Sequence, residues 1–178
     1  MLVALTASAH AGASKKDREA ASKSTVHPAP LPAGAKPVTL INLFNDHTHE
    51  WLAVDPVHVP ASSDYFLRDH YTNEATRMEP ALVQLVVAAA RHFKRETVTI
   101  VSAFRHPKFN LILRKKGHQV ARDSQHTHGN AIDFYLPDVT TRDLQAWAKA
   151  QHRGGVGIYL QSGFVHMDTG PIRFWSGD

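Results

Sequence analysis

The chain contains no cysteine. That absence excludes disulfide frameworks, thiolate metal sites and cysteine nucleophiles, and it leaves any bound metal to imidazoles and carboxylates. Long apolar runs are missing too: none approaches the roughly 20 residues of a membrane span, so no transmembrane helix is expected. Charged residues are 20% of the chain against 43% hydrophobic ones, proportions that exclude a wholly disordered or fibrous protein. The formal charge of +4 favours an anionic neighbour, which leaves nucleic acid, a membrane surface or an acidic wall polymer. The basic residues form no recognisable groove-reading element, so nucleic acid is not an expected partner.

What the chain has in plenty is histidine. Thirteen His residues in 178 justify a search for ligand spacing, because imidazole is the commonest protein metal ligand.

Residues 1–13 read as the remnant of a signal peptide, with apolar Leu2 to Leu5 running into the small residues Ala7-Ser8-Ala9-His10-Ala11. No basic region precedes them, so the natural precursor is expected to start further upstream. Residues 14–36 are rich in Ala, Ser, Lys and Pro without periodicity, and they read as a disordered linker because they hold too little apolar surface to offset ordering entropy. Residues 37–178 are the folding domain.

Within that domain a strand is predicted at Val38 to Phe44, then a polar turn over Asn45 to His49 and a short strand near Trp51 to Val54, together an edge hairpin. Asp55 to Met78 is a long irregular stretch, of a length that in a compact domain is usually functional. Pro80 opens a helix whose stripe Leu82, Val83, Leu85, Val86, Ala89, Ala90 and Phe93 has the 3.6-residue period. Thr97 to Val101 is a β-branched strand, Pro107 to Lys116 a second helix and Thr141 to His152 a third, opened by Thr140 and Asp143 in capping-box spacing. Two last strands, Val156 to Leu160 and Phe164 to Asp168, flank the turn Gln161-Ser162-Gly163.

Two stretches carry chemistry. In Ser124 to Leu136 a His-rich loop passes through Gly129 into a strand where Ile132, Phe134 and Leu136 face a core, while Ala131, Asp133 and Tyr135 face the other way. An aspartate in such a strand needs a charge partner, because burying an isolated carboxylate is costly, and a divalent cation would supply one. In Gly163 to Gly170, His166 and Asp168 stand two apart and project to one face. If the two strands are neighbours, His126, Asp133 and His166 converge as two imidazoles and a carboxylate, leaving a fourth position for water as catalytic zinc requires.

The motif Ser124-x-His126-x-x-Gly129-x-Ala131-x-Asp133 resembles in full the SxHxxGxAxD signature of the zinc peptidases grouped as lysostaphin-type, D-alanyl-D-alanine metallopeptidase and sonic hedgehog-like proteins. Within that group the likeness is nearest to the murein endopeptidase K branch. It runs from about Leu40 to Trp175 and includes Asn42-Leu43-Phe44-Asn45, Leu67-Arg68-Asp69-His70, Ser102-Ala103-Phe104-Arg105, Arg153-Gly154-Gly155-Val156-Gly157 and Phe164 to Gly170.

The resemblance implies a small α+β domain with a central antiparallel sheet carrying the zinc site and helices packed on one side. It implies one Zn2+ held by His126, Asp133 and His166, stem peptides of peptidoglycan as substrate, a place in the periplasm or exported to the cell wall, and endopeptidase activity on crosslinks between diaminopimelate residues; a monomer is the expectation, although the sequence leaves the oligomeric state open. Arg105 falls on a family arginine expected to hold a substrate carboxylate or carbonyl, and Ser124 is a second substrate-side candidate. Many members carry an acid or His two or three residues before the last ligand as general base, but here those positions are Phe164 and Gly163. Asp168 is the substitute, either as catalytic base or as the residue that fixes an imidazole. His106 stands where relatives often carry a small hydroxyl residue. The rival readings are a carboxypeptidase or amidase on the same scaffold, and a silent wall-binding module that keeps its metal for stability.

Overall fold

Short alternating runs of β-branched and aromatic residues build seven strands: β1 (Ile41–Asn45), β2 (Trp51–Val54), β3 (Thr97–Ser102), β4 (Ala131–Tyr135), β5 (Gly155–Tyr159), β6 (Phe164–Asp168) and β7 (Arg173–Gly177). The computed structural model describes residues 39–117 and 120–177. The expected signal remnant and linker, residues 1–13 and 14–36, lie outside the described residues.

The strands form one sheet in the order β2-β1-β3-β4-β6-β5-β7. Its middle, β3-β4-β6-β5, is antiparallel as expected. The sheet as a whole is mixed, because β1 lies parallel to β3 and β7 parallel to β5. This corrects the expectation of an antiparallel sheet. The two parallel pairs arise from crossovers that local sequence pattern does not reveal: α2 lies between β1 and β3 in the chain, and β6 between β5 and β7.

Among the described residues there are four α-helices: α1 (Ser63–Phe66), α2 (Pro80–His92), α3 (Pro107–Lys115) and α4 (Thr141–Ala150). α2 starts with Pro80 at its first position, and the Glu79 side chain accepts from the amide of Ala81. α4 starts with the predicted reciprocal cap, Thr140 Oγ1 accepting from the amide of Asp143 at 3.1 Å and donating to its carboxylate at 2.7 Å. Leu82, Val83, Val86 and Ala90 of α2, with Leu144 and Ala148 of α4, pack on the sheet face formed by Val98, Ile100, Ile132, Phe134, Val165 and Met167. Phe134 is fully buried there, and truncating such a residue to Ala costs about 3–5 kcal/mol. One sheet face is thus committed to the core. The alternate residues of the same strands are left to build a site.

Candidate active site

Strand pairing lays the site out as a transverse row. Ser102 of β3 lies opposite Asp133 of β4, Asp133 opposite His166 of β6, His166 opposite Gly157 of β5, and Gly157 opposite Trp175 of β7. Because side chains alternate along a strand, all five belong to the face turned away from α2 and α4. His126 joins the row from the short 3₁₀ turn Gln125–His128 that precedes β4. The turn ends at Gly129, whose φ of 74° is left-handed; a Cβ there would also lie 2.5 Å from the Arg77 carbonyl oxygen. Glycine is therefore required on two counts.

The three expected ligands meet. His166 Nδ1 is 2.8 Å from Asp133 Oδ1 and 3.1 Å from His126 Nε2, and His126 Nε2 is 3.3 Å from Asp133 Oδ2. All three residues are buried. Among the described residues they are the one group of three that could hold a metal ion.

The outward nitrogens decide what the inward ones can do. His126 Nδ1 lies 2.7 Å from the Ala103 carbonyl oxygen, which only accepts, so this nitrogen carries the proton and Nε2 turns a lone pair inward. His166 Nε2 donates to Asp168 Oδ2 at 2.9 Å, which leaves Nδ1 facing the same point. Two imidazole lone pairs and a carboxylate converge with no donor among them unless a proton or a cation is added. Burial lowers the pKa of His126 and keeps it neutral. Burial alone would lower His166 as well, but hydrogen bonds to Asp133 and Asp168 raise it to about 9. Asp133 is pushed up by burial, yet His126 and His166 together hold it well below the usual carboxylate range. In donor type, number and direction the residues fit a divalent metal.

Asp168 lies against the outer nitrogen of His166. It shares the sheet face with His166, but two residues along a strand span about 6.6 Å, and the imidazole fills that interval. The carboxylate therefore sits behind the ring, away from the point where the ligands converge. Its oxygens accept from the amides of Gly155 and Gly170 at 3.0 and 2.8 Å, from Arg173 Nη2 at 2.7 Å, and from His166. Burial raises its pKa, but the hydrogen bonds from His166, Gly155 and Gly170 outweigh it and hold the group at about 2.

Arg105 does face the cleft. Its Nη2 is 3.9 Å from Asp133 Oδ2 and 3.4 Å from Ser102 Oγ, and its side chain is 11% exposed. Burial lowers its pKa while Asp133 opposes the shift, and a guanidinium stays charged throughout. Its backbone amide donates to the His126 carbonyl at 3.0 Å. The long Asp55 to Met78 stretch braces this segment: the amide of Phe104 donates to the Leu67 carbonyl, and the amide of His106 to Asp69 Oδ2 at 2.6 Å. The unexpected His106 has a plain role, since its Nδ1 caps α3 by accepting from the Lys108 amide at 3.2 Å, as a hydroxyl residue could. Ser124 is buried at the entrance to the 3₁₀ turn and lines the same cleft, a cavity of about 1090 Å³ that also reaches Tyr159, Phe174 and Trp175.

Residues 35–175 match the family described as peptidoglycan L,D-endopeptidase MepK. The chain belongs to that family. It is 34% identical over 116 residues to the probable peptidoglycan L,D-endopeptidase MepK of Haemophilus influenzae, a match covering 64% of this chain and 62% of that protein. It is 35% identical over 116 residues to the peptidoglycan L,D-endopeptidase MepK of Escherichia coli K12, covering 65% and 64%. The chain thus spans slightly under two thirds of the length of these curated relatives. No solved structure matches it significantly.

Sequence reasoning missed β7. Arg173, Trp175 and Tyr159 pack against glycines: a Cβ on Gly155 would strike Arg173, one on Gly157 would lie 2.5 Å from the Trp175 indole, and one on Gly177 would strike the Tyr159 ring. The available signal was Gly155-x-Gly157 inside a strand, which marks a place where something approaches the backbone closely.

Proposed function

We propose that this protein is a zinc-dependent peptidoglycan endopeptidase hydrolysing peptide crosslinks, with His126, Asp133 and His166 holding one ion. The carrying observation is the convergence of three acceptor groups, two of them imidazoles locked in the tautomer a metal needs, in an open cleft of a chain that belongs to the MepK family. Bound there, zinc would polarise the scissile carbonyl and lower the pKa of water.

The chain's own residues would do the rest. Arg105 presents a fixed cation beside the ligands and suits a substrate carboxylate, a group its planar fork can grip with two hydrogen bonds. Ser124 borders the same cleft and is the second substrate contact in this reading. Of the two roles open to Asp168, the geometry supports the orienting one: it fixes the His166 tautomer and ring position, and with Gly155, Gly170 and Arg173 also donating to its oxygens it is poorly placed to take a proton from a reacting group. Peptidoglycan lies outside the cytoplasmic membrane, so the reading requires export, consistent with residues 1–13 as a signal remnant, 14–36 as a linker and 37–178 as the peptidase domain. No helix among the described residues is long and apolar enough to cross a membrane.

Incubation with crosslinked muropeptides tests the reading by mass spectrometry. Crosslinked species should fall to monomers, stop doing so with chelator, and resume with added zinc. A carboxypeptidase or amidase would betray itself by product mass. A silent wall-binding module is the second reading, favoured by one observation: of the two carboxylates lining the cleft, Asp133 is a ligand candidate and Asp123 is paired with His128 at 2.7 Å on the exposed rim. Wall binding with metal retained and no product would select it.

A further inference from the structure

Asp69 carries a buried carboxylate, 1% exposed, that does not line the cleft. Backbone amides occupy both of its oxygens. Oδ1 accepts from Tyr71 and Thr72 at 2.7 Å each, closing the turn that follows it in the chain, and Oδ2 accepts from His106 at 2.6 Å. The first two bonds are what a short polar residue makes in many turns. The third reaches the residue next to Arg105. Residues 103–106 are in fact held from two sides by alternate backbone groups. The Ala103 carbonyl and the Arg105 amide meet His126, at 2.7 and 3.0 Å, while the Phe104 and His106 amides meet the Leu67 carbonyl and Asp69, at 3.0 and 2.6 Å. Arg105 thus leaves a backbone fixed between the turn that bears one expected ligand and the loop that bears Asp69. A turn alone would be served by Asn, which has one acceptor oxygen; accepting on both sides calls for the carboxylate.

We propose that Asp69 is a positioning residue for substrate recognition: by fixing the His106 amide it aims the Arg105 guanidinium at a carboxylate of the substrate peptide. A guanidinium grips a carboxylate through two parallel hydrogen bonds, so the pairing tolerates little error in direction. Arg105 makes long contacts within the protein, 3.4 Å to Ser102 Oγ and 3.9 Å to Asp133 Oδ2, and its direction is set largely by the backbone it leaves. The loop bearing Asp69 therefore acts on substrate binding without touching substrate or ligands. The substrate named here rests on the peptidase reading, while the placement of Arg105 by Asp69 does not.

The test compares zinc-loaded full-length protein with Asp69→Asn, which keeps one acceptor oxygen, and with His106→Pro, which deletes the amide at a residue whose φ of −58° a proline shares. His106→Ser is the control, because it keeps that amide and can still cap α3. On crosslinked muropeptides Asp69→Asn and His106→Pro should each raise KM about 10-fold, the loss of roughly one charge-assisted hydrogen bond, with kcat within about two-fold of the parent. Zinc content should equal that of the parent, and His106→Ser should keep the parental KM. Combined with Arg105→Lys, Asp69→Asn should add almost nothing, because both act through one contact. A parental KM in Asp69→Asn, a loss confined to kcat or to zinc content, or full additivity with Arg105→Lys overturns the proposal. If Asp69→Asn does not fold, His106→Pro decides by the same criteria. A second readout needs no hydrolysis. The Arg105 Nε–Hε group, identified by its absence from Arg105→Lys, should gain mobility by NMR relaxation in Asp69→Asn and His106→Pro but not in His106→Ser. If the parent leaves muropeptides intact while that mobility still rises, the peptidase reading fails and the positioning of Arg105 stands; unaltered mobility overturns it.

Discussion

His126 Nε2 and His166 Nδ1 stand 3.1 Å apart, with their lone pairs turned toward each other by the Ala103 carbonyl behind one ring and the Asp168 carboxylate behind the other. Two such lone pairs repel unless something positive lies between or beside them. The proton that His166 retains up to a pKa of about 9 does this without a metal; in our reading a zinc ion takes its place.

The orienting role of Asp168 makes Asp168→Asn informative. The amide can still accept from the backbone but no longer offers His166 a charged acceptor, so zinc affinity should fall about 10–100-fold. With zinc supplied at saturation most of the muropeptide activity should return. A base would behave otherwise: full zinc affinity with activity abolished even at saturating zinc would reverse the assignment.

Gly157→Ala probes the seat of Trp175. The new Cβ would meet the indole at 2.5 Å, so Trp175 must leave its place against His166 and Tyr159. The expected cost is about 1–3 kcal/mol of stability, read from urea melts, with a shift in tryptophan emission and reduced hydrolysis. An unaltered emission spectrum with full activity would show that the ring does not need this position.

Away from the cleft, Arg68 and Glu50 form a two-pronged pair at 2.7 and 3.1 Å that ties β2 to the long Asp55 to Met78 stretch. The hydrogen bonds from Arg68 lower the pKa of Glu50, and the depressed carboxylate value sets the sign. Its stabilisation is fully present above the ordinary value of 4.5 and is lost as pH falls through the lower folded value. Glu50 is 41% exposed, which limits the effect to about 1 kcal/mol. Glu50→Gln should therefore be less stable than the parent at pH 7 by chemical denaturation, and the gap should close in strong acid. A gap that persists there would assign the effect to packing.

The convergence of His126, Asp133 and His166 and most of the elements were legible from sequence because local pattern determines them. Pro80 and the Thr140 cap marked helix starts, and the alternation around Asp133 identified the face it occupies. Strand spacing gave Asp168 its face but not its distance, and the width of the His166 ring separates it from the cleft. β7 escaped because Phe174 and Trp175 are adjacent in sequence and break the expected alternation. Its pairing with β5 is parallel and reached through β6, so no hairpin turn announces it. The long Asp55 to Met78 stretch was expected to be functional, and what it does is brace the segment bearing Arg105. The amides of Phe104 and His106 donate to the Leu67 carbonyl and to Asp69, acceptors far from that segment in sequence.

Metal content measures the central claim most directly. Purified protein reconstituted with zinc and freed of excess should retain about one ion per chain, and His126→Ala, Asp133→Ala and His166→Ala should each retain almost none while keeping the far-ultraviolet circular dichroism of the parent. Stoichiometric zinc in any of the three variants, or none in the parent, would contradict the account.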